Sequence, residues 1–220
     1  MEIIKTSDLK KSYTLGKIDV KALNGVDSSI GQGEFVAIMG PSGCGKSTYL
    51  NMIGMLDTPT SGSIYIDGND VTKMNSSARA EYRLKHIGFI FQFFNLFMEL
   101  TALENVMFPM MLNKQPGHKE KAKGLLNLVG LGDRLHHLPS ELSGGQQQRV
   151  TIARSLANSP KILLADEPTG NLDTRSSIEI IELFRKLNKE RGQTIVMVTH
   201  SLEIGEMADR IIHFRDGKVE

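Results

Sequence analysis

The chain has 220 residues, and its 26 basic and 25 acidic side chains leave a formal net charge of +1. This balance gives no basic field of the kind that attracts nucleic acid, so no nucleic-acid partner is expected. No apolar run reaches the ~18 residues that a membrane span needs, and the N-terminus lacks the apolar segment of a signal peptide. We therefore expect a soluble protein of one domain, or of one domain with an inserted lobe, whose membrane role, if any, is peripheral.

Three apolar runs, at residues 34–39, 161–167 and 194–200, predict buried strands. A glycine-rich loop and a helical pattern follow the first run. Between the second and third runs, an amphipathic helix is expected to end at Gly192. Apolar strands that alternate with amphipathic helices predict an α/β fold with a parallel sheet covered on both faces.

Two hairpin signals and one helical stretch complete the predicted organisation. The pairs Asp67-Gly68 and Asp216-Gly217 are turn residues within alternating apolar patterns. We expect both hairpins to join the N-terminal segment in a small antiparallel β portion. Residues 93–157 predict a helical lobe inserted into a nucleotide-binding core of residues 1–92 and 158–220.

The segment GPSGCGKST matches the phosphate-loop pattern G-x-x-x-x-G-K-[ST]. Its glycines let backbone N–H groups curl around phosphate oxygens, Lys46 brings positive charge to the β- and γ-phosphates, and Ser47 can ligate Mg²⁺. Because the pattern stands between a predicted strand and a predicted helix, an ordinary glycine-rich turn is the weaker alternative. We therefore expect ATP and Mg²⁺ as ligands. The predicted nucleotide-binding residues of the loop are Gly40, Pro41, Ser42, Gly43, Cys44, Gly45, Lys46, Ser47 and Thr48.

Cys44 is the one cysteine of the chain, so no internal disulfide is possible and a reducing compartment is compatible. Two interpretations of its side chain stay open. It is inert if the backbone makes the phosphate contacts, which is the favoured alternative. It is a reactive thiol if Lys46 and the helix N-terminus activate it. Normal ATP binding by thiol-modified protein would exclude the second.

Polar residues end several of the predicted strands. Asp166 and Glu167 follow the second buried strand, at the sheet edge where ligands of open parallel sheets bind. We expect Asp166 to hold Mg²⁺ and Glu167 to orient or deprotonate the attacking water; a solvated acidic pair is the alternative. His200 ends the third strand near the expected γ-phosphate, and Gln92 ends the run IGFIFQ, within reach of the metal or the water. Neither residue is specific by itself, because both types are common at strand ends.

The stretch ELSGGQQQRVTIARSLA, residues 141–157, predicts a second helix N-terminus suited to an anion. Ser143 is a good N-cap, and Gly144 and Gly145 open the backbone. A merely well-capped helix is the alternative. The phosphate loop already holds the triphosphate of one nucleotide. The second helix N-terminus therefore has no ligand within one chain unless another phosphate binds it. Two-fold symmetry resolves this, since each chain's turn would then cap the nucleotide held by a second copy.

The ordered set GPSGCGKST, Gln92, LSGGQ, ILLADEP, NLD and His200 resembles the ATP-binding cassette (ABC) ATPases, with a P-loop NTPase (RecA-like) core, over essentially the whole chain. The tracts LTALENV and LADEPTGNLD look most like the lipoprotein-release and macrolide-export subfamily. The resemblance implies a head-to-tail dimer with ATP between the protomers, and it implies a switch role for His200. It also implies that Tyr13 stacks on adenine, that LSGGQ, which ends at Gln146, is the family's signature motif at the start of a signature helix, and that Asp173 lies at the dimer interface. The implied catalytic residues are Glu167, His200, Gln92 and Lys46, and the implied metal ligands are Ser47, Gln92 and Asp166.

Two functions are compatible with such an ATPase. In the first, the chain is the motor subunit of a membrane transporter or mechanotransmission complex, on the cytoplasmic face of the membrane through an integral membrane subunit. Most of the Phe- and Met-rich segment that begins at Gln92 is then expected to be core of the lobe, and part of it to form a groove for a helix of that subunit, with exposed positions among residues 93–98. In the second, it is a soluble ATPase acting on DNA or the ribosome, which the absence of a basic stripe disfavours.

Overall fold

The structure is a computed structural model and describes residues 1–16 and 18–220. The strands are β1 (Glu2–Leu15), β2 (Ile18–Gly31), β3 (Phe35–Met39), β4 (Ser61–Ile66), β5 (Asn69–Asp70), β6 (Ile87–Ile90), β7 (Ile162–Asp166), β8 (Thr194–Val198), β9 (Arg210–Arg215) and β10 (Lys218–Val219). The helices are α1 (Lys46–Ile53), α2 (Ser76–His86), α3 (Ala102–Leu112), α4 (His118–Leu128), α5 (Gly144–Ser155), α6 (Thr174–Arg191) and α7 (Leu202–Gly205), and a 3₁₀ turn covers Pro139–Glu141.

The central sheet has the strand order β10-β9-β3-β8-β7-β6, and β9, β3, β8, β7 and β6 run parallel. Every residue of β3 and β8 is buried, as their continuous apolar runs predict. Alternate residues serve two cores. Phe35 and Ala37 pack on the face that carries α3, α5 and α6, and Val36 and Ile38 pack on the face that carries α1 and the second sheet. The predicted parallel sheet covered on both faces is confirmed.

The second sheet is antiparallel in the described residues and has the order β2-β1-β4-β5. The N-terminal strand β1 pairs with β4, as predicted, and also with β2, a strand that was not predicted from the sequence. The β4–β5 turn has positive φ at Asp67 (50°) and Gly68 (75°), which is the geometry of a tight two-residue hairpin.

The second hairpin corrects one expectation. Asp216 and Gly217 form a turn with positive φ at both residues, but the strand before it, β9, pairs parallel with β3 in the central sheet. The expectation that this hairpin joins the antiparallel portion was therefore wrong. An alternating pattern indicates that one face of a strand is buried, here the face with Ile212 and Phe214. It does not indicate which strand lies beside it or whether the two run parallel.

Residues 93–157 are mostly helical, and their apolar side chains share one core with a face of the central sheet. Thr101 and Glu104 form a capping box at the start of α3. The fully buried Asn105 accepts from the Phe97 backbone N–H and donates to the carbonyl oxygens of Phe97 and Leu100, which orders the loop before α3. In the described part of the chain, no helix combines the length and apolar composition required to cross a bilayer.

Candidate active site

The loop between β3 and α1 packs closely against neighbouring backbone at two positions where only glycine fits. Gly40 has φ 152°, and a Cβ there would overlap the carbonyl oxygen of Phe214. Gly45 has φ 104°, and a Cβ there would overlap the carbonyl oxygen of Ala22. The ammonium of Lys46 donates to the carbonyl oxygens of Gly40 and Pro41, at 2.8 Å each, and so closes the loop on itself. The loop thus has the backbone form that holds phosphate oxygens on N–H groups.

The loop borders a cavity of about 410 Å³. Glu167, His200 and residues 20–22 of β2 line the same cavity. The phosphate loop and two of the polar strand-end residues are therefore brought together, as their positions at one edge of a parallel sheet predict. Cys44 is buried behind the loop, with its sulfur 3.9 Å from the Lys46 nitrogen.

Ser47, at the start of α1, and Asp166, at the end of β7, are in contact at the same edge of the sheet. The Ser47 hydroxyl donates to Oδ1 of Asp166 at 3.0 Å. Burial raises the pKa of the Asp166 carboxyl and the charge of Glu167 raises it further, while the Ser47 hydrogen bond acts in the opposite direction. Within the described ranges, no cluster of three or more His, Cys, Asp or Glu side chains is placed to hold a metal. The pair of oxygen donors nevertheless fits Mg²⁺, which binds proteins through one or two oxygen ligands and takes the others from phosphate and water.

Glu167 has a strained backbone that its neighbours hold in place. Its φ is +46°, a left-handed conformation that costs a non-glycine residue about 1–2 kcal/mol. Its N–H donates to the Val198 carbonyl, and its own carbonyl accepts from the Gly170 N–H, at 3.0 Å each. The Glu167 Oε2 atom lies 3.3 Å from His200 Nδ1. The left-handed conformation of Glu167 ends β7 at Asp166, one residue before the predicted end. As a result, the Asp166 carboxylate lies at Ser47 and the Glu167 carboxylate lies at His200.

Gln92 follows β6 but does not line the 410 Å³ cavity. Its side chain lies against Gly170, where an added Cβ would come within 2.8 Å of Gln92 Nε2. Its backbone carbonyl accepts a 2.9 Å hydrogen bond from the side chain of Asn171. The predicted roles of Gln92 at the metal and the water stay predictions.

Tyr13 lies beside the cavity. It pairs across the β1–β2 ladder with Val20, which lines the cavity. The Tyr13 hydroxyl donates to Asp57 at 2.9 Å, and the ammonium of Lys11 stands 4.8 Å from the centre of the Tyr13 ring. Burial raises the pKa of Tyr13, and the neighbouring Asp57 carboxylate adds to this rise. Sequence reasoning missed Lys11 and Asp57, because a contact across 44 residues of chain leaves no local signal.

The N-terminus of α5 stands apart from the phosphate loop of the same chain. Ser143 and Gln146 form a capping box, in which Ser143 Oγ accepts from the Gln146 N–H and Gln146 Oε1 accepts from the Ser143 N–H. Ser143, Gly145 and Gln146 line a separate cavity of about 430 Å³. Asp173 is the N-cap of α6 and accepts from the Ser176 N–H at 3.0 Å. The phosphate loop and the N-terminus of α5 thus line separate cavities, and the prediction that each of them holds an anion stays a prediction.

Comparisons with known proteins agree with this geometry. The sequence profile of the ABC transporter family matches residues 23–170. An uncharacterized ABC transporter ATP-binding protein of Thermotoga maritima is 53% identical over an alignment that covers 100% of this chain and 94% of that protein. The macrolide export ATP-binding/permease protein MacB of Syntrophobacter fumaroxidans is 48% identical, and the alignment covers 100% of this chain but 31% of MacB. Among solved structures, the dimeric post-hydrolysis state of the ATP-binding cassette MJ0796 with ADP and Pi has a TM-score of 0.90 at 45% identity, covering 99% of this chain and 96% of that chain.

Proposed function

The chain belongs to the ABC transporter family, and we propose that two copies of it close head to tail around two ATP molecules to drive a membrane subunit. As a member of this family it binds ATP, hydrolyses it to ADP and phosphate, and serves as the motor subunit of a membrane transporter. One observation carries the dimer. The Ser143 turn lies outside the cavity that the phosphate loop, Glu167 and His200 share, so a single chain encloses its nucleotide incompletely. Nothing in the comparisons supports the alternative of a soluble ATPase acting on DNA or the ribosome.

Within one chain, the phosphate loop holds the triphosphate on backbone N–H groups, with Lys46 adding a point charge. Ser47 and Asp166 would hold Mg²⁺, which would neutralise part of the negative charge of the triphosphate when bound. Glu167 orients the attacking water and accepts its proton. His200, within hydrogen-bond reach of Glu167, fixes that carboxylate and contacts the γ-phosphate. Gln92, which lies beside Gly170 and Asn171, changes position with the state of the bound nucleotide.

Across the dimer, the second protomer completes the site. The first N–H groups of α5, from the Ser143-Gly144-Gly145 turn, point at the γ-phosphate held by the other chain. Asp173 and the segment before it cross the interface, and Tyr13 stacks on the adenine. The similarity to the cassette MJ0796, whose post-hydrolysis state with ADP and Pi is dimeric, supports a dimer for this chain. Hydrolysis removes the phosphate that joins the protomers and lets the dimer open.

The membrane subunit would dock on a groove with a volume of about 770 Å³. Helix α2, strand β6, the segment after Gln92 and helix α3 line it, and residues 93–157 act as a lobe beside the core. Phe97 lines this groove and is 43% exposed. Phe93 and Met98 of the same segment are 70% and 50% exposed but are not among the residues that line the groove. Arg154 of α5 donates to the carbonyl oxygens of Phe94 and Asn95, which links this surface to the signature helix. An amphipathic helix is the occupant that fits such a groove, and it would hold the chain on the cytoplasmic face of the membrane.

The dimer is tested by its dependence on ATP and on protein concentration. Glu167→Gln is expected to lower kcat by at least about 10²-fold, since it removes the general base. With ATP this variant should elute as a dimer in size-exclusion chromatography, and without ATP as a monomer. Wild-type specific activity should fall on dilution. Equal specific activity in strictly monomeric and concentrated protein would overturn the proposal.

A further inference from the structure

Gln148 is a fully buried polar side chain in the second turn of α5. It is four residues after Gly144, so it lies about 6 Å along the helix from the N-terminus. Its Nε2 donates a 2.7 Å hydrogen bond to the carbonyl oxygen of Pro168. Gln148 thus connects the signature helix directly to the residue that follows Glu167.

The hydrogen bond falls on the turn whose shape determines where the Glu167 carboxylate points. The Glu167 N–H and carbonyl are already bonded to Val198 and Gly170, and the Pro168 carbonyl, the next along the chain, is bonded to Gln148. Since Glu167 has a left-handed φ of +46°, the turn relaxes unless several contacts hold it. Gln148 is the contact that comes from α5.

The other end of the Gln148 amide is left without a partner. Its Oε1 is buried and has no hydrogen-bond partner among the described residues. A buried acceptor without a partner destabilises the folded state, and an apolar residue of the same length would avoid this cost. Reversing the amide would place two oxygens against each other, so one orientation alone makes the bond to Pro168. The side chain is therefore poorly suited to packing and well suited to holding this one carbonyl.

We propose that Gln148 is a positioning residue that couples the two ATP sites of the dimer. The proposal rests on the head-to-tail arrangement described above, in which α5 meets the nucleotide held by the partner while Glu167 acts on the nucleotide of its own chain. When the γ-phosphate held by the partner binds the Ser143 turn, α5 shifts into its final position. Gln148 transmits this shift to the Pro168 carbonyl and so to the Glu167 turn. Each site is then fully competent only when the other is occupied.

The test is Gln148→Met, which keeps the length of the side chain and removes the donor. Gln193→Met is the matched control, because Gln193 Nε2 also donates to a proline carbonyl, that of Pro160, at 3.2 Å and at the opposite edge of the sheet. For Gln148→Met, kcat is expected to fall by about 10- to 100-fold, with ATP affinity of the monomer unchanged. The Hill coefficient for ATP should fall from near ~2, the limit for two sites, toward ~1. Gln193→Met should keep the wild-type Hill coefficient.

A double-mutant cycle separates positioning from a general structural effect. If Ser143 and Gln148 act along one route, the kcat losses of Ser143→Ala and Gln148→Met are non-multiplicative, and Ser143→Ala with Gln193→Met is multiplicative. The inference is overturned if Gln148→Met keeps wild-type kcat and cooperativity, or if it loses activity only through a lower Tm. ATP-dependent dimerisation of Glu167→Gln is measured in parallel. Its absence would overturn the dimer itself, whereas a normal dimer with an unaffected Gln148→Met would overturn this inference alone.

Discussion

The Tyr13 hydroxyl donates a 2.9 Å hydrogen bond to Oδ2 of Asp57, and the ammonium of Lys11 lies 2.8 Å from the same oxygen. Burial raises the pKa of Asp57, but hydrogen bonds from Lys11, Thr58 and Tyr13 outweigh it and leave the pKa below its ordinary value. The carboxylate is therefore charged at neutral pH and fixes the Tyr13 ring from its hydroxyl end.

Asp57→Ala is expected to raise the KM for ATP by about 2- to 10-fold, the equivalent of one lost hydrogen bond, with kcat nearly unchanged. The reason is that a free Tyr13 ring must be ordered again when adenine binds. Steady-state kinetics measure the split between KM and kcat. Asp70→Ala is the control, because Asp70 also pairs with a lysine, Lys73, but lies in β5 away from the cavity. A change in kcat alone would contradict the assignment.

Two glycines distinguish a folding requirement from a functional one. An alanine at Gly40 would overlap the Phe214 carbonyl, so Gly40→Ala is expected to lower Tm strongly and to abolish nucleotide binding. At Gly144 an added Cβ meets Leu172 Cδ2 at 3.4 Å, an ordinary contact. Gly144→Ala should therefore fold with a Tm within about 2 °C of wild type, since it makes no steric clash and gains helix propensity.

Gly144→Ala should nevertheless lose ATP-dependent dimerisation and most hydrolysis, because Gly144 belongs to the turn whose N–H groups are proposed to approach the nucleotide of the partner, and a methyl group packed against Leu172 would shift that turn. Thermal unfolding and size-exclusion chromatography with ATP measure the two effects on one sample. Full dimerisation and activity of Gly144→Ala would show that this end of α5 does not approach a second nucleotide closely.

Substitution of Asp166 is expected to raise the thermal stability of the nucleotide-free protein and to weaken Mg²⁺ binding. Because burial raises the pKa of its carboxyl above the ordinary value of 3.8, the folded chain binds this proton more tightly than the unfolded chain. The resulting stability is fully present below that ordinary pKa and is lost as pH rises through the pKa of the folded state. At neutral pH, Asp166→Asn should therefore raise the Tm of nucleotide-free protein by roughly 1–3 °C, allowing for partial exposure.

The same substitution should remove the additional thermal stabilisation that Mg²⁺ gives to the ATP-bound protein, because it removes one of the two proposed protein ligands. Differential scanning fluorimetry at several pH values measures both effects. The gain in Tm should shrink as the pH approaches 3.8. An unchanged Mg²⁺ effect in Asp166→Asn would exclude this carboxylate as a ligand.

Phe97 is expected to serve the membrane partner and not the chemistry. Its ring packs against Phe108 at 4.8 Å and lines the 770 Å³ groove, while remaining 43% exposed. Phe97→Ser should weaken recovery of the chain with solubilised membrane subunits by about tenfold or more, as for an aromatic anchor, and keep basal ATPase activity within about twofold. Tyr65→Ser, an exposed aromatic on the antiparallel sheet, is the control. Equal binding by both variants would place the partner elsewhere.

Much of the architecture is predictable because the parallel sheet is encoded by local runs, as in β3 and β8. The phosphate loop and the α5 cap are likewise local, since each depends on residues within a few positions of one another. The neighbours of β9 are not predictable, because pairing with β3 joins residues far apart in the chain. The ties from Asp57 to Tyr13 and from Gln148 to Pro168 are equally non-local, and their residue types carry no special pattern.

The order of strands in the central sheet has a consequence for biosynthesis. Strand β3, which carries the phosphate loop, is flanked by β8 and β9, both of which are translated far later than β3 itself. Pairings of such large sequence separation form slowly and leave unpaired strand edges exposed in the interim. We therefore expect a nascent chain to retain ATP only after residues through Arg215 have left the ribosome, and to depend most on chaperones before β8 and β9 pair with β3.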